Sequence, residues 1–557
     1  MRHLLGIVLL SISLQVGAQE LGKSYKNISE CNPISACVFC ADPTALVYDG
    51  RLYVYGSNDH QQYMANGKQG SNDYGAIKSL VVFSTDDMVN WTFHGTIDVG
   101  KLCGSWGWRF AASWAPSVTW REGTNGKDEF FLYFANSGGS IGVLTAESPI
   151  GPWRSPLSQP MIDSNTPGVS PCNWIFDPGV VIDDNGEGWI AFGGGDPQST
   201  GSALFPGNSR IAKLKNSMTA FDGSAVKLPA PYLFEASELN MMNGRYVYTY
   251  NTSWSDRDAW SSYDKRGNQP APSTCSMCYM VTDNPLDPDA WEYRGEYVPN
   301  PGNFNMGWGN NHTHLQKFGD NYYLFYHSMG LEQRINSGAS GFRSIGVDKV
   351  EVNESTQHID KVTMTTNGPQ AIKQLDPYIL QQAETMANAG GVEYEHFTNI
   401  AKTTRFSNLG NDASQNMQVK MSKGSWIMLN NVDFGTEGAK SFTIKASGTG
   451  KLEVKMGRPS GATKASVEFS STELEEHTVD VDPGSFTGEK KMFLIFTEAT
   501  DVQFDSWQFS HDTAEGISNI STSNGQPSAI YNISGTRLQD KPHGGVYIQD
   551  GKKHIAK

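Results

Sequence analysis

The chain has 557 residues, 38% of them hydrophobic and only 18% charged, with 58 glycines, 11% aromatics and a net charge of −15. That charge, with no basic stripe, argues against a nucleic-acid partner, and beyond the N-terminus no run approaches the ~18 apolar residues of a membrane span. The length allows about three or four domains, and abundant glycine and aromatics fit all-β architecture with many tight turns.

In chain order, the basic start Met1-Arg2-His3, the apolar run Leu4–Leu14 and the small residues Val16-Gly17-Ala18 form the pattern of a signal peptide over residues 1–18. This predicts export, to the medium, the periplasm or the cell surface. Seven cysteines follow, at 31, 37, 40, 103, 172, 275 and 278, an odd count that leaves at least one without an intramolecular partner. Cys37-x-x-Cys40 and Cys275-x-x-Cys278 have zinc half-site spacing. In an exported protein, disulfides or buried thiols are the plainer reading.

Across residues 29–365 one pattern recurs: a turn, then an aromatic-rich strand. It is seen at Gly50-Arg-Leu-Tyr-Val-Tyr55, Asp128-Glu-Phe-Phe-Leu-Tyr133, Gly186-Glu-Gly-Trp-Ile-Ala-Phe192, Gly244-Arg-Tyr-Val-Tyr248 and Gly319-Asp-Asn-Tyr-Tyr-Leu-Phe325. Five copies, each with room for a four-stranded sheet, predict a five-bladed β-propeller. A second strand-like run precedes each copy and is expected to line the central channel. Asp42, Glu235 and His312 each stand 13 residues before their blade's later aromatic, and Asp177 stands 15 before its own. A lone Asp-Pro is normally a turn, and a lone histidine is normally structural. Three carboxylates and a histidine at matching places in four repeats predict instead that they converge at the axis.

Residues 366–377 read as a linker. Residues 378–510 carry short alternating runs, such as Ser425–Phe434 and Met492–Phe496, that predict a β-sandwich of jelly-roll type. Trp426 and Trp507 are read as core more than as sugar platforms. Residues 511–557 form a polar stretch followed by two brief strand patterns.

With those residues in view, the first 365 positions resemble glycoside hydrolase family 43, whose members are inverting enzymes on five-bladed propellers. The likeness rests on ADPTALVYDGRLYVYGSND, SWAPSV, IGVLTAESPIGPW, FDPGVVIDDNGEGWIAFGGG, FEASELNMMNGRYVYTY, NNHTHLQKFGDNYYLFYH and FRSIGVDKV. It implies Asp42 as general base, Asp177 as the carboxylate that orients the acid and raises its pKa, and Glu235 as general acid. His312 matches the axial histidine found beside Ca²⁺ or its waters, and Arg343 a basic residue that touches substrate near the acid. His314 stands where the family commonly has serine. Residues 378–510 resemble carbohydrate-binding module family 6, through Gln382-Ala383-Glu384, NNVDFG and Phe504-Asp505-Ser506-Trp507. That likeness implies a structural Ca²⁺ on Glu384 and Asp505, with Gln382 in place of the first acid. The tail resembles the C-terminal sorting domains of Bacteroidetes exported proteins.

Together these imply an inverting exo-hydrolase releasing α-L-arabinofuranosyl or β-xylosyl groups from arabinoxylan or xylan. One carboxylic acid protonates the leaving oxygen while a carboxylate about 6.5–9.5 Å away activates water. Trp114, Trp174 and Phe176 are candidate floors for the sugar, with core packing an equal reading for the tryptophans. The rival readings are an endo-acting arabinanase and a non-catalytic sugar-binding propeller. A sucrose-type fructosidase would carry a Trp-Met-Asn-Asp-Pro start, which is absent.

Overall fold

The computed structural model describes residues 20–124, 126–398 and 413–514, with four short strands between residues 530 and 556. The signal-peptide segment 1–18 and most of the polar start of the tail lie outside the described residues.

The five recurrences become five antiparallel sheets. Their first strands are Ala41–Tyr48, Trp114–Arg121, Gly179–Ile182, Leu233–Met242 and Thr313–Phe318. Each first strand touches the next and the fifth touches the first, so they ring a central axis. The second strands are Arg51–Ser57, Glu129–Asn136, Gly188–Phe192, Arg245–Thr252 and Asn321–Ser328, the aromatic-rich runs of the repeat. Blades stack face to face, so middle strands are covered on both sides. Leu80–Thr85 and Met277–Thr282 are therefore buried at every position and read as continuous runs, without alternation.

Each junction between blades is a separate core. Leu46, Tyr55 and Val82 meet Val118 and Leu132 between the first and second blades. Tyr133 and Val143 meet Ile190 and Phe192 between the second and third. Trp189 meets Tyr246 and Tyr248 at the next seam, and Val247 meets Leu324 and Tyr326 at the fourth. The fifth seam closes the ring, with Phe325 and Val347 against Leu52, Val54 and Phe83. The segment before the first blade clasps this closure. The side chain of Asn32 donates to the Val347 carbonyl at 2.9 Å and accepts the Val347 N–H at 2.9 Å. The N–H groups of Ile34 and Cys40 bond to the carbonyls of Ile345 and Arg343.

The C-terminal unit is one eight-stranded sheet curled on itself, the sandwich read from the sequence. The long strand Glu489–Ser510 pairs with Trp426–Asp433 through its first half and with Gln418–Met421 and Gln381–Gln382 through its second. Trp426 and Trp507 are both buried, in agreement with the core reading. The tail's strands, Ile530–Asn532, Arg537–Leu538, Gly545–Gln549 and Lys552–Ala556, form a small antiparallel sheet of their own.

Propeller and sandwich are not strung on a free tether. Thr385 and Met386 pair with Thr92 and Trp91, adding a fifth strand to the first blade. The core at the fifth seam runs on without a break into the sandwich. Asn90, on the propeller side, mimics a strand: its Nδ2 donates to the Asn430 carbonyl at 2.9 Å and its Oδ1 accepts the Asn430 N–H at 2.8 Å. Leu375, between the two units, is buried, and its N–H bonds to the Asn431 carbonyl.

Asn90→Ala removes a buried partner from two backbone groups, a loss of about 1–3 kcal/mol. Calorimetry should show propeller and sandwich melting together at a lower temperature. A sandwich that melts alone, with the propeller transition unmoved, would contradict a shared core.

Candidate active site

The polar ends of the first strands meet at one mouth of the ring, and the backbone there is shaped for it. Asp42 and Ala115 stand second in their strands, Ala236 fourth in its own and Asp177 two residues before Gly179, all in the left-handed region, with φ of 52°, 40°, 62° and 47°. The pairing register shifts beside Asp42, Ala115 and Glu235. Such bulges bend a strand end and re-aim its side chains, and left-handed non-glycine residues collect where function holds them.

The three predicted carboxylates are all buried and drawn together by hydrogen bonds that cross the blades. Asp177 Oδ2 accepts the N–H of Ala236, the neighbour of Glu235, at 2.9 Å. Ser57 donates to Asp42 Oδ2 at 2.6 Å and accepts the Ala115 N–H at 2.8 Å. The Asp42 N–H donates to His327 Nδ1 at 3.1 Å, and His327 Nε2 donates to the Asn310 carbonyl at 3.1 Å.

Arg343 organises one side. Its Nη1 donates to Asp42 Oδ1 at 2.8 Å, while Nε and Nη2 grip Asp59 with two bonds of 2.9 Å. The guanidinium also lies over the Tyr74 ring, 5.1 Å from its centroid. The resemblance placed Arg343 near the acid; its hydrogen bonds go to Asp42, the residue matched to the base, and to Asp59.

The electrostatics split the carboxyls into two kinds. Burial would raise Asp42, but the Arg343 guanidinium, then His327 and His312, hold it far below the usual carboxylate range. Glu235 goes the other way. Burial first, then the charges of Asp177 and Asp42, push it well up. Asp177 is raised too, by burial and then by Asp42. The sequence reading gave the neighbouring charge as the cause of a protonated Glu235; burial is the larger one. One firmly ionised carboxylate, Asp42, facing a carboxyl, Glu235, that holds its proton is the arrangement of an acid–base pair.

The other predicted residues surround this centre. His312 Nδ1 lies 3.7 Å from Asp42 Oδ1, and burial lowers its pKa to about 4, so the ring is neutral. His314 turns to the blade seam, with Nδ1 3.1 Å from Glu238 Oε2. Trp174 packs edge-on against Phe176 and Phe234, with centroids 5.3 and 5.4 Å away. Phe176 is buried and Trp174 half-buried. Trp114 is half-buried and donates from its indole to the Tyr74 carbonyl at 3.2 Å. On the same mouth, Trp254 follows the second strand of the fourth blade and Trp308 precedes the first strand of the fifth. They are 48% and 60% exposed, with rings 6.5 Å apart.

Glycosyl hydrolases family 43 is the profile that matches residues 31–368, and Carbohydrate binding module (family 6) the one that matches 382–511. The chain belongs to glycosyl hydrolase family 43. It is 36% identical over 502 residues to an arabinoxylan arabinofuranohydrolase of Bacillus subtilis (strain 168), spanning 87% of this chain and 93% of the relative. It is 34% identical over 501 residues to one of Paenibacillus polymyxa, spanning 86% and 74%. The crystal structure of the Bacillus subtilis family 43 enzyme in complex with cellotetraose superposes with a TM-score of 0.77, 34% identity, and coverage of 88% of this chain and 99% of that one. As a family 43 member with these relatives, the protein is a glycoside hydrolase.

The sequence reading missed Ser57, Asp59, Asn251 and His327, which support the family 43 carboxylates. Asn251 Nδ2 reaches Glu235 Oε1 at 3.4 Å. A signal was present: Ser57, Asn251 and His327 lie two or three residues past the recurrent aromatics Tyr55, Tyr248 and Phe325. The seven cysteines are all free thiols, with Cys40, Cys103, Cys275 and Cys278 buried and Cys31, Cys37 and Cys172 half-buried. Among the described residues no three His, Cys, Asp or Glu side chains gather as a metal site, so the two Cys-x-x-Cys pairs do not combine into one.

Arg343→Leu leaves Asp42 and Asp59 buried without their cation, a loss of about 3–5 kcal/mol. In the variant Asp42 loses the strongest influence that holds it down and titrates higher than in the parent, so the destabilisation shrinks as the pH falls. In the parent it titrates far below the usual carboxylate range, and its contribution persists at mildly acid pH. Melting temperatures of parent and variant should therefore converge between pH 7 and pH 4; a gap that widens on acidification would contradict the pairing.

Proposed function

We propose that the protein is an inverting, exo-acting α-L-arabinofuranosidase that removes arabinofuranosyl branches from arabinoxylan or its oligosaccharides. The observation that carries this reading is the opposed ionisation of Asp42 and Glu235 in one buried site. Asp42, anionic through Arg343, takes a proton from water as that water attacks the anomeric carbon. Glu235 gives its proton to the glycosidic oxygen as the carbon–oxygen bond breaks. Asp177 acts on the acid through its charge and through the Ala236 N–H. His312 and Arg343 face the sugar beside Asp42, and Trp174, Phe176 and Trp114 wall the pocket.

The substrate assignment is supported by relatives that match both domains and are named for arabinoxylan. The exposed Trp254 and Trp308 at the mouth suit a polymer, and a sugar-binding sandwich would raise its effective concentration. A polysaccharide too large to enter a cell calls for export, which the apolar N-terminal segment would supply.

A cation in the sandwich is part of this proposal. Glu384 is buried and its Oε1 has no hydrogen-bond partner, an unmet acceptor that Ca²⁺ would satisfy. Asp505 lies near it, with Oδ1 held by the Asn416 and Gln418 amides at 2.7 and 3.0 Å. Its Oδ2 is 3.3 Å from Lys445 Nζ, which already supplies some positive charge. The Glu384 site thus fits a cation, held by Glu384, Asp505 and the Gln382 carbonyl. At the axis, His312 would be the protein ligand of any hydrated ion.

The decisive assay offers nitrophenyl arabinofuranoside, nitrophenyl xyloside and arabinoxylan, and follows the anomer released by NMR. Arabinose released with inverted configuration is expected; xylose as the main product, retention, or oligosaccharides from the polymer backbone would overturn the reading. Glu235→Gln should cut turnover by about 10²-fold or more while binding persists. Asp177→Asn removes a like charge, so Glu235 loses its proton at lower pH and the alkaline limb of activity should move acidward. Stripping divalent cations should lower the melting temperature of the joint propeller–sandwich transition, and added Ca²⁺ should restore it; no change would rule the ion out.

A further inference from the structure

Trp108 is 89% exposed, the most exposed large apolar side chain among the described residues. It lies on the connection from the first blade's outer strand, which ends at Ile97, to the second blade's inner strand, which begins at Trp114. Both of those strand ends are at the mouth, so Trp108 shares the face of the carboxylates. It borders a groove of about 830 Å³ whose other walls include Arg109, Ser137, Gln159, Asp163 and Asn165.

The chemistry of the walls selects a neutral, hydroxylated occupant. The groove holds one cation and one anion, which balance: Arg109 lies over the Trp108 ring, 5.8 Å from its centroid, and donates to Gln159 Oε1 at 3.1 Å, while Asp163 Oδ1 accepts the Asn165 N–H at 2.8 Å. The rest of the lining is the exposed indole with hydroxyl and carboxamide groups around it. A pyranose ring offers the complement, an apolar C–H face for the indole and peripheral hydroxyls for the amides.

The groove also adjoins the Trp174 side of the mouth. Its hairpin, Ser137-Gly138-Gly139-Ser140, has no side chain at its two central positions. A Cβ at Gly138 would stand 3.3 Å from the Trp174 ring, and one at Gly139 would meet nothing within 4 Å. Gly138 is thus packed against Trp174 and Gly139 is bare beside the groove, so no side chain from the centre of the hairpin stands between Trp174 and Trp108. The second blade faces the fourth and fifth across the ring, so Trp254 and Trp308 lie on the far side of the same mouth.

We propose that the Trp108 groove is a distal subsite for the main chain of an uncharged plant-wall polysaccharide, several sugars from the residue held at the axis. The proposal rests on the glycosidase reading of the axial pocket. Its consequence is that the substrate lies right across the mouth, and that polymer is preferred to small glycosides through contacts remote from the chemistry.

Trp108→Ala, made in the full chain, tests this. Its kcat/KM on soluble arabinoxylan should fall by about five- to ten-fold, mainly through KM. On nitrophenyl arabinofuranoside it should stay within about two-fold of the parent, since a uniform binding contact is lost far from the bond broken. Equal kinetics on the polymer, or an equal loss on both substrates, would overturn the groove assignment. Absence of any glycosidase activity in the parent protein would strike the axial reading instead. Migration of parent and Trp108→Ala in arabinoxylan-containing native gels then still decides the groove, with weaker retardation of the variant expected and identical retardation refuting it.

Discussion

The site turns on one buried cation held between two carboxylates. The Arg343 guanidinium gives two donors to Asp59 and one to Asp42, and all three residues are buried. Removing such charges from water is costly, and it succeeds where geometry and hydrogen bonds compensate it. Here Asp59 anchors the guanidinium at the start of a short helix, Asp59–Ala65. The clasp segment fixes its backbone through the Cys40 N–H. Asp42 is thereby kept ionised in a pocket whose burial drives Glu235 and Asp177 the other way. Without that cation burial would push Asp42 toward the neutral form against His327 and His312 alone, and its contrast with Glu235 would weaken.

The ring explains how such a centre is assembled from distant residues. Each blade is stabilised by its two seams, and those seams are filled by Tyr, Phe, Trp and aliphatic side chains from the repeat. The strand ends at the mouth are left free for polar groups, and cross-blade hydrogen bonds tie them: Ser57 to Ala115, Ser117 to Val180 and Asp177 to Ala236. These bonds set the position of one carboxylate relative to the next. Packing and site geometry are thus separate tasks carried out at different ends of the same strands.

The sandwich is built into this ring. Its opening residues extend the first blade, and its core joins the seam where the ring closes. That seam holds the clasp, the third strand of the fifth blade and the backbone of Arg343. A glycan-binding unit fixed so firmly has one orientation toward the catalytic mouth, which a flexible tether would not give.

The repeat, the sandwich and the three catalytic candidates were legible in the amino-acid sequence, because each has a period or offset that one-dimensional inspection can detect. Asp42, Asp177 and Glu235 stood out by their place before a recurring strand, and Trp426 and Trp507 by lying in apolar runs. The supports were less visible. Ser57, Asn251 and His327 follow the repeat but are chemically unlike one another, so no single residue type marks them. Asp59 has no counterpart in the repeat and meets Arg343 across 284 positions. The direction of Arg343 toward Asp42, the lead of burial in raising Glu235, and the continuity of sandwich and propeller were decided by tertiary structure alone. Each depends on which surfaces exclude water together, and that is a property of packed neighbours that no stretch of chain carries by itself.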